Sequence, residues 1–159
     1  MTTENQNPYS PPGAAVSDPK ARPGSPVKAV LLGAIVDIVG TLVVGTLVAV
    51  TYGASLAASG ASVEDIEAMS SNIPVDSWQF IVGLLIGCGF SLLGGYVCAR
   101  IAKRSEYKLG CILGGISVLA GLLIGMGEYS SAIDLSLILA TFAAVLLGSH
   151  LGYFRNRNA

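Results

Sequence analysis

The sequence predicts an all-α membrane protein: a four-helix up-down transmembrane bundle behind a disordered N-terminal tail. Three observations carry this. Only 12% of the 159 residues are charged against 52% hydrophobic, whereas a soluble domain carries about 25% charged residues. The apolar residues gather in four long runs, each able to supply the roughly 20 residues that cross a bilayer. All nine Lys and Arg residues fall on one side of those runs, which is the pattern of a chain with one fixed orientation.

Residues 1–27 are polar and rich in Pro, Ser, Ala and Asn. Such a composition buries too little apolar surface to offset its ordering entropy, so it reads as a disordered cytoplasmic tail with polyproline-like patches. The apolar run after Lys28 is longer than the roughly 7–15 residues of a signal-peptide core. Residues 28–159 therefore read as one membrane domain.

Span 1 covers about 29–54. Its one charge is Asp37, with Gly33, Gly40 and Thr41 on the same helical face. The carboxylate is thus expected to face other helices rather than lipid. Residues 55–77 form the longest loop. There Ser62 with Asp65 has the spacing of a capping box. Val63, Ile66 and Met69 give a short surface helix its apolar edge, with Glu64, Asp65 and Glu67 on the wetter side. Asp76 is the expected N-cap of span 2, which covers about 77–102. The short turn Lys103-Arg104-Ser105-Glu106 makes spans 2 and 3 antiparallel neighbours. Span 3 covers about 107–127. Ser131 with Asp134 reads as a second capping box, opening span 4 at about 132–154.

The hairpin from Trp78 to Gly127 is the part on which the other spans are expected to pack. Gly83, Gly87 and Gly95 stripe span 2, and Gly110, Gly114 and Gly121 stripe span 3. Small residues at this spacing let membrane helices approach closely. GLLIGCG at 83–89 matches GLLIGMG at 121–127 at six of seven positions. The two copies run in opposite directions. They read as two Gly seams; the alternative is a fragment of an inverted repeat, a transporter trait.

Lys20, Arg22, Lys28, Arg100, Lys103, Arg104, Lys108, Arg155 and Arg157 lie on one side. Glu64, Asp65, Glu67, Asp76, Glu128 and Asp134 lie on the other. The positive-inside rule then puts both termini and the hairpin turn in the cytoplasm. Tyr52, Trp78 and Tyr129 fit the outer boundary, and Tyr107, Tyr153 and Phe154 the inner one.

Asp37 lies roughly 13 Å from the inner boundary at helical rise. An intramembrane carboxylate is a functional hypothesis by default, here a proton or cation site. The bland alternative is a hydrogen-bonded structural Asp facing Ser91, Tyr96 or Ser117 at similar depth. The candidate binding set is Asp37, Tyr96 and Ser117. His150 shares its face with Leu146, Leu147, Tyr153 and Phe154, away from the small face of Thr141, Ala144, Gly148 and Gly152. It is expected at the inner interface rather than on Asp37. Cys88, Cys98 and Cys111 lack the spacing of a disulfide framework or zinc site. No metal or cofactor is expected. No nucleophile–base set stands at either interface, so the chain reads as non-enzymatic. Nucleic-acid binding has no support.

The opening NPYSPPGAAV at 7–16 resembles the NPYxPPxA start of many small uncharacterised bacterial inner-membrane proteins. The run Gly94-Gly95-Tyr96-Val97-Cys98-Ala99-Arg100 is similar to the GGYxxAR-type end of span 2 in several such four-span families. These resemblances imply architecture and no activity. Pro11-Pro12-Gly13 resembles ligands of GYF-type proline-binding domains, which implies such a partner for the tail. Asp37-Ile38-Val39-Gly40-Thr41 is similar to the acid-x-x-Gly-Thr pattern in the first span of small multidrug-resistance transporters. There the acid exchanges protons for cationic drugs. Two readings follow. The first is a structural, accessory or regulatory membrane subunit acting by helix packing with itself or another membrane protein. The alternative is a small proton-coupled transporter using Asp37.

Overall fold

The computed structural model describes residues 24–71, 73–125 and 130–158. The tail up to residue 23, the last two residues expected in span 3, Glu128 and Tyr129 lie outside them. Among the described residues there is no strand, and four helices are long and apolar enough to cross a membrane. The chain is a multi-pass integral membrane protein.

The first span begins at Pro26, earlier than expected, because proline suits the first helical position. It comprises α1 (Pro26–Ala34), a π-helical segment (Ile35–Val39) and α2 (Gly40–Ala58). Next comes α3 (Val63–Ser71), opened by the capping box that the spacing predicts. Ser62 Oγ lies 2.6 Å from Asp65 Oδ2. The Asp65 N–H donates to Ser62 Oγ at 3.2 Å. Span 2 is α4 (Trp78–Ala102). Its cap is Ser77 rather than Asp76: the Ser77 hydroxyl accepts the Phe80 N–H at 3.2 Å. Asp76 stands one residue too early to reach that group.

Lys103 and Ser105 take positive φ, at 51° and 49°, and so reverse the chain within three residues. Then α5 runs Glu106–Gly125 and α6 runs Ser131–Arg157. The Ser131–Asp134 box is not the cap of α6. Ser130 holds the N-cap position without a side-chain bond, and the Asp134 N–H goes to the Ser130 carbonyl at 3.1 Å. Ser131 is already helical.

The packing centre is α4, with α6 along one side and α1 along another. Sequence adjacency suggested the α4–α5 hairpin as the organising pair, yet α4 packs more extensively on α6. Glycines explain why. A Cβ on Gly33 would lie 2.8 Å from the Gly94 carbonyl oxygen, and one on Gly94 would lie 2.7 Å from that of Gly33. On α6, Gly148 abuts the Leu92 carbonyl, while Gly95 of α4 abuts that of Val145. Backbones this close leave no room for side chains, which is how membrane helices gain packing contacts.

Burial is lopsided. Helix ends carrying Lys and Arg define a basic end of the bundle, and the opposite ends an acidic one. Buried positions fall at Ala29–Asp37, Ser91–Ala102, Glu106–Ser117 and Ala144–Gly152. All of these stretches belong to the basic half. No residue of α2 is buried. The bundle is thus tightly packed at its basic half and loosely packed at its acidic half.

Candidate functional site

The boundary between the two halves is the layer of Asp37. This residue sits at the centre of the π-helical segment and is 3% exposed. The Ser91 hydroxyl of α4 donates to Oδ1 at 2.7 Å, and the Ser117 hydroxyl of α5 donates to Oδ2. Three spans therefore meet on one carboxylate. Gly94 makes the approach feasible, since a Cβ there would lie 2.9 Å from the Asp37 Cβ. π-Helical turns are uncommon and frequently mark functional positions.

Asp37 forms part of the floor of a cavity of about 270 Å³. From Asp37 the lining extends towards the acidic end through Thr41, Gly87, Ala120, Gly121, Ile124 and Thr141. Among the described residues Asp37 is the one ionisable group in that lining. On the basic side of that layer Cys98, Leu113 and Val145 are fully buried. The walls are open because they are short. A Cβ on Gly121 would meet nothing within 4 Å, and one on Gly87 only the Thr41 methyl at 3.9 Å. A lone carboxylate with hydroxyl neighbours can hold a proton or a small cation there.

Of the residues singled out from sequence, Asp37, Ser91 and Ser117 come together, the contacts that a hydrogen-bonded Asp37 was expected to make. Tyr96 does not line the cavity. It stands five residues past Ser91, about 140° round the helix, and its backbone packs against Gly148 and Gly152 of α6. Gly95, Gly110 and Gly114 are packed against Val145, Ser149 and Phe142. Gly87 and Gly121 instead leave cavity space, and Gly83 meets nothing within 4 Å.

His150 lies near the basic end, its Nδ1 2.5 Å from the Tyr107 hydroxyl and its ring edge-on to Phe154 at 4.6 Å. All three cysteines are free; Cys98 is buried and Cys111 exposed. Among the described residues no group of three His, Cys, Asp or Glu could hold a metal.

A second polar group escaped sequence reasoning. Asn156 Nδ2 donates to the Ala99 carbonyl at 2.9 Å and to Glu106 Oε1 at 3.4 Å, and Arg100 donates to Asn156 Oδ1 at 3.2 Å. This ties α4, α5 and α6 together at the basic end. The only signal was that α6 can continue past Phe154, which turns Asn156 from a tail residue into a helical one.

Fold and site together define a multi-pass integral membrane protein with the Asp37 carboxylate buried at the floor of a cavity. Comparison with protein families, with curated proteins and with solved structures gives no match.

Proposed function

We propose that this chain is a small proton-coupled transporter of the bacterial inner membrane, with both termini in the cytoplasm and no enzymatic activity. Asp37 takes up a proton or small cation from the non-cytoplasmic side. The observation that carries this reading is the carboxylate itself, held by Ser91 and Ser117 at the floor of a cavity reaching towards the acidic end. Burying a carboxylate in the membrane costs a few kcal/mol on insertion scales, so a purely packing role would be served more cheaply by an apolar side chain. Orientation follows from the basic residues at one end.

The test is proton flux into reconstituted vesicles that contain a trapped pH dye, driven by an imposed gradient of candidate cations. Wild-type protein is expected to exchange protons for at least one cation. Asp37→Asn is expected to abolish that exchange, and Asp37→Glu to retain part of it. Unchanged exchange in Asp37→Asn would sink the reading.

A second reading is a structural or accessory subunit that packs with its own copy or another membrane protein. It is favoured by the loose acidic half, where added Cβ atoms on Gly45 and Gly83 would meet nothing within 4 Å. Here Gly83→Leu should abolish assembly in cross-linking, while Asp37→Asn should leave it intact.

A further inference from the structure

The geometry points to a binding site for one anionic phospholipid between α1 and α5 at the basic end: an acyl chain in the apolar groove, and the phosphate over Lys28 and Lys108. The groove is separate from the Asp37 cavity and does not depend on how that cavity is used.

Both helices start at the basic end and run parallel, so their N-termini lie on the same side of the bundle. Between them is a groove of about 470 Å³, walled by Val27, Val30 and Leu31 on one helix and by Leu109, Ile112 and Ile116 on the other. From Leu109 to Ile116 it descends about 10 Å, the scale of a lipid chain within one leaflet. Lys28 stands one turn before Leu31, and Lys108 one turn before Ile112, each on the basic-end side of a groove residue. Both are exposed.

Each lysine is the third residue of its helix. Both therefore sit at a positive helix end, where the macrodipole favours an anion rather than a cation. Against Lys28, Lys108 and Arg104, the single acid of α5's first turn leaves the mouth net positive. Glu106 is buried and takes its hydrogen bond from Asn156 of α6. Arg104, exposed in the adjoining turn, adds a further positive charge. An apolar slot with a cationic mouth is complementary to a lipid tail beneath an anionic headgroup, because clustered Lys and Arg at a membrane surface attract such headgroups.

A second copy fits less well. A two-fold dimer presents the same patch from both partners. Pairing α1/α5 faces that way would bring Lys28 and Lys108 against their own counterparts.

Native mass spectrometry of the full chain tests this, with phosphatidylglycerol and phosphatidylcholine of identical acyl chains supplied in equal amounts. Wild-type protein should retain one phosphatidylglycerol in clear preference to phosphatidylcholine. Lys28→Gln/Lys108→Gln should lower that preference about tenfold or more, whereas Arg155→Gln/Arg157→Gln should not. Ala34→Leu, which fills the groove wall, should reduce retention of both lipids. Equal retention of the two lipids by wild type, or a preference that survives the double lysine variant, overturns the proposal. So does glycerol phosphate binding as well as the whole lipid, which would mark a phosphate site alone. An Ile112→Cys disulfide between two copies with no lipid retained would mark the groove as a dimer face and equally overturn it.

Discussion

Asp37 is held by two hydroxyls that sit on different helices, and each can be removed without changing backbone or volume much. A hydrogen bond contributes about 1 kcal/mol net, and membrane double-mutant cycles average somewhat less. Ser91→Ala and Ser117→Ala should each lower the unfolding free energy in detergent by about 1 kcal/mol. In an Asp37→Ala background, both serine substitutions should cost almost nothing. The glycines divide by the same reasoning. Gly95→Ala drives a methyl into the Val145 carbonyl and should cost about 1–3 kcal/mol by overpacking. Gly121→Ala points into open space and should leave thermal stability unchanged or slightly raised. Sequence reasoning reached Asp37, Ser91 and Ser117 because depth along a helix can be counted from its ends. It placed Tyr96 beside them because depth says nothing about azimuth. Which side of α4 meets span 1 is decided by Gly94 against Gly33, a contact between residues 61 apart in sequence.

At the level of the element, the Ser62–Asp65 box and the turn between α4 and α5 were legible, while the caps of α4 and α6 and the π-helical segment were not. Ser62 and Asp65 form their box because the helix starts at Val63 and leaves Ser62 at the N-cap; Ser131 and Asp134 have the same spacing, but Ser131 is already inside its helix. The Ser62 hydroxyl and N–H hold the Asp65 carboxyl below its ordinary value. The folded pKa being the lower one, the stabilisation is present above the unfolded value of about 3.9. It is lost as pH falls through the folded value. Amide shifts of residues 64–66 should therefore titrate at lower pH than those around an ordinary aspartate, and Ser62→Ala should move the transition up towards the ordinary value. Lys103 offers a second check. A non-glycine residue in the left-handed region costs roughly 1–2 kcal/mol, so Lys103→Gly should raise the unfolding midpoint if the turn is otherwise intact. The segment Ile35–Val39 has no such local code. Its branched residues and single acid suit an ordinary α-helix equally well, and the wider turn is coupled to contacts with α4 and α5.

Across the whole molecule, burial changes sharply at the Asp37 layer. The four spans and their alternating direction were readable from charge and hydropathy, because lipid imposes both on each span separately. The hub role of α4 was not, because the Gly95–Gly148 seam joins residues with no local relation. A cysteine scan in a background free of Cys88, Cys98 and Cys111 would map the asymmetry. Thr41→Cys and Thr141→Cys should react with a charged, membrane-impermeant thiol reagent added on the acidic side. Leu113→Cys should resist that reagent from either side.

This asymmetry has an electrical consequence. With water in the cavity, one side of Asp37 conducts and the other insulates. The membrane voltage then falls mainly across the packed half, about 16 Å of helix from Pro26 to Asp37. On the transport reading proposed above, an ion arriving from the acidic side has crossed little of the field, and the same ion leaving towards the basic end crosses most of it. A full crossing corresponds to about 2.3 kcal/mol per charge at 100 mV. Voltage would therefore govern departure from the carboxylate far more than arrival at it.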